Sequence, residues 1–295
     1  MFNFLKPPKI TLAIAAIFRN EKDYILEWIA WHQAQGIHKF IIYDNDSDDG
    51  TTQLLQQLEK LNIIDLYHIE RQENAQIKAY QKILTAYKNS IEIIAFIDAD
   101  EFIVPNDSKT ASTHIAQLFK NKKIGAIGIN WKIFGTNNHQ KQPEGSVIQN
   151  YPLAGTDTNK RNHFIKSIYR PKAVQKIFAH RAKLNNQFEY INTQGNPLIF
   201  SSLKSLPKPT KDNQTSGVSS QIMKNNLRIH HYALKSVEEF TNKKKYKGDA
   251  ILGKNHIKSD SYFKEFDLND EEVIISKVHL DNFQHQHIKL KSLIN

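Results

Sequence analysis

The chain has 295 residues, a formal charge of +10 at pH 7 and a sequence pI near 9.4. Hydrophobic residues make up 40% and charged residues 24%, which excludes a disordered tail or a fibre and leaves a globular protein with ample core. Cysteine is absent, excluding a disulfide framework and thiolate metal sites, and no apolar run is long enough to span a bilayer.

The opening stretch, Met1 to Lys9, is too short and too polar for a signal peptide. Thr11–Phe18 is continuously apolar and reads as a first buried strand, with Arg19, Asn20 and Glu21 at its carboxyl end. From Asp23, the residues Ile25, Trp28, Ile29 and His32 fall at helical spacing, so a helix runs to about Gln35 and stops at Gly36. Phe40–Tyr43 is a second strand, and Asp44–Thr51 is its loop. Leu54, Leu55, Leu58 and Leu61 mark a helix, Ile63–Ile69 a strand, and Tyr80, Ile83, Leu84 and Tyr87 another helix. Ile93–Ile97 then reads as a strand buried on both faces. This alternation implies βαβ units on a parallel sheet over residues 10–105.

Further on, Ala126–Phe134 reads as a strand and Gly135–Gly145 as a polar loop. Phe164–Tyr169 and Leu227–Tyr232 are shorter strands, and Ser236–Lys247 is helical. Asn185–Gly217, rich in Asn, Ser, Pro, Thr and Lys, reads as a long excursion. The polar tail after Asp249, with its one apolar patch Val273–Ile275, matches no element. The domain division that follows is 1–250 for the main domain and 251–295 for a C-terminal extension.

The charge excess favours anionic partners such as nucleic acid, anionic lipid or phosphate-bearing substrates. Its one local run, Lys243, Lys244, Lys245 and Lys247, reads as a solvated helix face. The acids are more informative. Asp98, Asp100 and Glu101 close the apolar strand Ile93–Ile97, and a buried strand has no use for carboxylates. They belong at its carboxyl end, where open α/β sheets bind ligands. If the strand persists, Asp98 and Asp100 share one side and can hold a hard divalent ion together with phosphate oxygens. An exposed acidic turn is the simpler alternative, and the flanking apolar residues argue against it.

The loop Asp44–Thr51 fails as an EF-hand, because neither register puts glycine and a bidentate Glu in place. Asp48 and Asp49 are accounted for by turn and helix capping. Asp44 lies at the strand end, where a carboxylate accepts from a base N–H or a ribose hydroxyl. No Gly-x-Gly-x-x-Gly follows the first strand and no Walker lysine motif occurs, which argues against dinucleotide oxidoreductases and P-loop enzymes. A haloacid dehalogenase-like phosphatase is disfavoured too, since Phe102 stands where Thr or Val belongs.

Phe18 to Glu21, Glu27-Trp28, Tyr43 to Gly50 and Phe96 to Phe102 together resemble a GT-A glycosyltransferase. More narrowly they resemble family 92 and family 2-like bacterial enzymes of the polysaccharide or lipopolysaccharide type. Lys166 to Pro171, His231-Tyr232, Lys235-Ser236 and Glu238 to Phe240 fit the same group, so the resemblance covers about residues 10–250.

The resemblance implies an α/β GT-A fold: a mostly parallel central sheet flanked by helices, with a C-terminal elaboration. It implies a nucleotide-sugar donor, with a UDP-sugar expected, and Mn2+ or Mg2+. Carried over, Asp98 and Asp100 form the Asp-x-Asp motif, and His231 completes the metal shell; His230 stands where a polar residue is usual, so the two histidines can exchange roles. Asp44 matches the acid near the nucleobase, Arg19 and Glu21 border the same pocket, and His180 is an acceptor-site candidate. Lys235 or Lys247 can add to stabilisation of the leaving diphosphate. Family analogy implies inversion, which needs a base well downstream of Asp-x-Asp. Glu189 is the choice here, against Asp157 and Glu144. The implied reaction moves a hexose, galactose among the options, to a glycan or lipid-linked acceptor. The enzyme would be cytoplasmic with peripheral contact to an anionic membrane, and nucleic acid is not expected. A non-catalytic basic binding module is the competing class.

Overall fold

The strand–helix alternation at the start of the chain builds one half of a single sheet. It runs β1 (Leu12–Phe18), α1 (Ile25–Ala34), β2 (Lys39–Asp44), α2 (Thr51–Lys60), β3 (Ile64–His68), α3 (Ala75–Tyr87) and β4 (Ile93–Phe96). There follow β5 (Glu101–Pro105), α4 (Ala111–Leu118), β6 (Ile124–Ile133), the short α5 (Val147–Asn150), β7 (Leu153–Ala154), β8 (Ile165–Tyr169), β9 (Val174–Ile177) and β10 (Ala182–Leu184). β11 (Glu189–Asn192), β12 (Leu227–His231), α6 (Val237–Glu239), α7 (Asp260–Phe266), β13 (Glu271–Glu272) and α8 (Lys277–Ile294) complete the chain. This computed structural model describes residues 11–201, 217–253 and 255–294.

The large sheet has the order β3-β2-β1-β4-β8-β6-β12-β5, with β11 also on β6. β3, β2, β1 and β4 are parallel, β8 is antiparallel to both β4 and β6, and β5 is antiparallel to β12. The carboxyl ends of β1, β2, β4 and β12 therefore share one edge with the amino ends of β5 and β8. This is the mostly parallel, helix-flanked GT-A architecture that the resemblance implied.

Strand alternation divides the core between two faces. Ile14, Ala16 and Phe18 of β1 join Ile93 and Ala95 of β4 on the face covered by α1, α2 and α8. Ala13, Ala15, Ile94 and Phe96 face α3 and the β9–β10 hairpin. Both faces are apolar because side chains alternate along each strand and helices cover both sides. α1 stops where Gly36 takes φ +78°, and a Cβ there would run into Ser112.

Several expectations change. The central strand ends at Phe96, one residue short of the expected Ile97, and does not persist through the acids: Asp98 and Asp100 sit in a turn before β5. The Trp28 indole N–H fixes that turn by donating to the carbonyls of Asp98 (3.0 Å) and Glu101 (2.9 Å). The excursion Asn185–Gly217 contains β11, which pairs with β6; its residues 202–216 lie outside the described ones. The unassigned tail forms α7, β13 and α8, and α8 packs on α1 through Phe283 and Leu290.

Candidate active site at the strand ends

The turn between β4 and β5 places the acids, and each has a different environment. Asp98 is surrounded by donors. Its Oδ1 accepts from the Gln76 amide (2.9 Å) and the Tyr80 hydroxyl (3.2 Å), and its Oδ2 from the Lys166 ammonium (2.7 Å). Glu101 is fully buried in β5; its Oε2 accepts from the Asp98 backbone N–H at 2.9 Å and lies 3.5 Å from Lys166. Burial pushes the Glu101 carboxyl up to about 7 against the pull of Lys166. Burial also works against the charge of Lys166, but Asp98 and Glu101 outweigh it and hold the lysine above its ordinary value.

Asp100 faces the crevice, and sheet register brings His231 to it. His231 pairs with Glu101 across β12 and β5, and the Tyr232 N–H donates to the Asp100 carbonyl at 2.8 Å. Asp100 Oδ1 lies 3.7 Å from His231 Nε2, and Oδ2 accepts from Lys244. Burial alone would raise the Asp100 carboxyl, but Lys244 and His231 hold it well below the carboxylate range. His230, the alternative ligand, points to the other face of the strand and lines a separate cavity with Lys132 and Arg228. The alternation of β12 thus distinguishes the two histidines.

Asp98, Asp100, His231, Arg19, Glu21 and His180 line one open cavity of about 330 Å³. Sequence reasoning did not identify other groups that line it: Arg71, Lys244, Lys258, Asp249 and Trp131. Lys247 pairs with Glu21, and Lys258 lies 3.8 Å from Asp249 and donates to the Gly248 carbonyl. Burial, helped by Lys244 nearby, lowers Lys258 to about 8. The run Lys243 to Lys247 is therefore only partly a solvated face: Lys243 and Lys245 pair outward with Asp23 and Asp260, while Lys244 and Lys247 turn inward. At the far end, Trp131, His180, Phe164 and His231 form an aromatic wall, with Trp131–His231 centroids 4.4 Å apart. Burial lowers His180 to about 3, so it is neutral there, and its Nδ1 is 3.2 Å from the Ile165 carbonyl oxygen.

Five candidate site residues lie elsewhere or are occupied. Glu189 is exposed and paired with Ile124, at the end of β6 opposite the crevice, so it is too far along the strand to act as the base. Asp157 is tied to Lys132, Lys224 and Arg228 by the separate cavity, and Glu144 is exposed in the Gly135–Gly145 loop. Asp44 is at the β2 end as expected, but its carboxylate accepts from Ser47 and Thr52, both at 2.6 Å. It braces its own loop, and Asn45 lines the cavity instead. Lys235 is buried just outside the cavity, with a left-handed φ of 59° and its ammonium 3.7 Å from the Tyr24 ring centroid.

A hard cation fits part of this donor set. Ligands at about 2.1 Å from one ion stand about 3 Å apart when adjacent and about 4.2 Å apart when opposite. The 3.7 Å between Asp100 Oδ1 and His231 Nε2 falls inside that span. Asp98 fits less well, because protein donors engage both its oxygens. Among the described residues no group of three or more His, Asp and Glu is arranged to hold a metal, so phosphate oxygens or water would complete the shell. No helix of the described residues is long and apolar enough to cross a membrane.

The chain matches glycosyltransferase family 92 over residues 9–285. A family 92 protein of rice, Oryza sativa subsp. japonica, is 26% identical over 195 residues, covering 64% of this chain and 32% of the rice protein. One from Ricinus communis is 22% identical over 197 residues, covering 65% of this chain and 35% of that protein. The matched region thus spans about a third of the length of these plant relatives. Among solved structures, S. aureus TarS 1–349 is 15% identical with a TM-score of 0.42, covering 76% of this chain and 61% of that one. The Pyrobaculum calidifontis mannosyltransferase PcManGT, in complex with GDP-Man and Mn2+, is 19% identical with a TM-score of 0.32, covering 43% and 39%.

Proposed function

This chain belongs to glycosyltransferase family 92, and from that premise we propose that its crevice transfers a hexosyl group from a nucleoside-diphosphate sugar to a hydroxyl of a glycan or lipid-linked acceptor, with inversion. The supporting observation is the meeting of Asp100 and His231 with Arg19, Arg71, Lys244, Lys247 and Lys258 around one cavity, a charge complement for a diphosphate. A UDP-sugar is the proposed donor, and galactose one of the proposed hexoses.

Asp100 and His231 are the residues to hold Mn2+ or Mg2+, which when bound offsets the charge developing on the leaving diphosphate. Asp98 serves behind them, fixing Lys166 and the turn. Lys244, Lys247 and Lys258 lie close enough to the acids to share phosphate oxygens once a nucleotide enters. The aromatic wall of Trp131 and His180 offers apolar faces to a sugar ring. For inversion, Asp249 replaces Glu189 as the candidate base. It lines the cavity, and although burial acts to raise it, the N–H groups of Leu252 and Ile251 keep its carboxyl below the ordinary value and so ionised. The net charge of +10 supports a further proposal, that the enzyme works against an anionic inner leaflet.

The test is nucleotide release from a panel of UDP- and GDP-sugars, with Mn2+ or Mg2+ and with or without candidate acceptors. Asp100→Ala should lower release by about 100-fold or more while the melting curve stays cooperative. Transfer at the wild-type rate in that variant would remove the site from the proposal. Absence of release from every donor would favour a basic binding module.

A further inference from the structure

The residue expected to hold a cation is already held by a cation of the protein. The Lys244 ammonium sits on Asp100 Oδ2, so only Oδ1 is left facing His231. Lys244 ends the π-helical turn Phe240–Lys244, whose start is fixed by the capping box between Ser236 and Glu239. Its side chain is about a quarter exposed, at 23%, against 8% for Asp100. Lys247 and Lys258 line the same cavity. A free divalent ion approaching Asp100 therefore meets an ammonium on the same carboxylate and more positive charge beside it. A diphosphate changes that balance: its negative oxygens offset both cations and give the flexible lysine stem a second partner.

We propose that Lys244 is a built-in occupant of the cation position on Asp100, so that the divalent ion binds with or after the diphosphate and not before it. The proposal rests on the donor reading above. By linkage, the nucleotide tightens cation binding by the same factor by which the cation tightens nucleotide binding.

Binding alone tests this, with no turnover, by electron paramagnetic resonance of free Mn2+ and by calorimetry. Wild-type protein should bind Mn2+ about tenfold or more tightly with saturating UDP or GDP than without. Lys244→Met, of similar length but neutral, should tighten nucleotide-free Mn2+ binding by about tenfold and shrink the coupling. Lys244→Arg should keep the wild-type coupling. Equal Mn2+ affinity of the wild type with and without nucleotide overturns the proposal, whether or not any variant folds. A folded Lys244→Met protein with wild-type nucleotide-free affinity overturns it as well. Nucleotide binding without Mn2+ binding in any form overturns the cation assignment to Asp100 and His231, and this inference with it. Binding of neither ligand by the wild type counts against the donor reading itself.

Discussion

Glu27 stands in a stretch that resembles the family, yet its work is structural. It lies on the buried face of α1, and its two oxygens accept from the N–H groups of Val147 (2.9 Å) and Ile148 (3.0 Å) at the start of α5. Burial pushes its carboxyl up to about 7, with those two N–H groups pulling the other way. The folded value is raised above the unfolded one, so the proton-linked stability is fully present below about 4.5 and is lost as pH rises through about 7. The loss amounts to about 3 kcal/mol over that window. Glu27→Gln removes the titration, so the stability difference between wild type and variant should shift against the wild type between pH 5 and pH 8. Urea unfolding of both proteins at the two pH values measures it, and a constant difference would mean that Glu27 titrates normally.

α8 shows how an element can look weak in sequence and still hold the fold. Its residues Lys277–Ile294 mix His, Gln and Lys among a few apolar positions, so no clear stripe appears. Yet His279, Phe283 and Leu290 are buried, and the Phe283 ring packs on Trp31 of α1 with centroids 5.9 Å apart. His279 Nε2 also lies 2.7 Å from the Asp107 carbonyl oxygen, joining α8 to the loop after β5. α1 in turn carries Trp28, whose indole N–H holds the acidic turn, so α8 supports the site from behind. Phe283→Ala should cost about 3–5 kcal/mol of stability, read as a lower denaturation midpoint with little change in slope. A loss under about 1 kcal/mol would mean that α8 is a surface appendage.

Across the whole molecule, not every lysine meets a partner. Lys132, Lys166, Lys235 and Lys258 are each at most 9% exposed, and Lys244 is turned into the crevice. These lysines are set against Asp98, Asp100, Glu101 and Asp157, so the internal charges nearly cancel and most of the +10 excess lies elsewhere on the molecule. What remains outside is still basic. Each surface Lys or Arg near an anionic membrane contributes about 1 kcal/mol and loses it as salt rises. Sedimentation with phosphatidylserine vesicles should therefore show binding at low ionic strength that fades by about 0.5 M salt. Protein that stays in the supernatant at low salt would leave the membrane without a role.

The periodicity of Thr11–Phe18, Phe40–Tyr43 and Ile93–Ile97 was enough to give the parallel sheet, because a strand buried on both faces must be continuously apolar. The same logic placed Asp98 and Asp100 at a strand end, since a buried strand cannot carry carboxylates without partners. Identity of the partners was not legible. Lys166, Lys244 and Lys258 are lysines like any other in the chain, and only packing decides which of them is desolvated beside an acid. Register did the rest: pairing β12 with β5 put His231 beside Asp100 and turned His230 away, and pairing β11 with the far end of β6 removed Glu189 from the crevice. Contacts between segments so far apart in sequence depend on strand order and on side-chain alternation along paired strands. Local propensity and spacing specify neither.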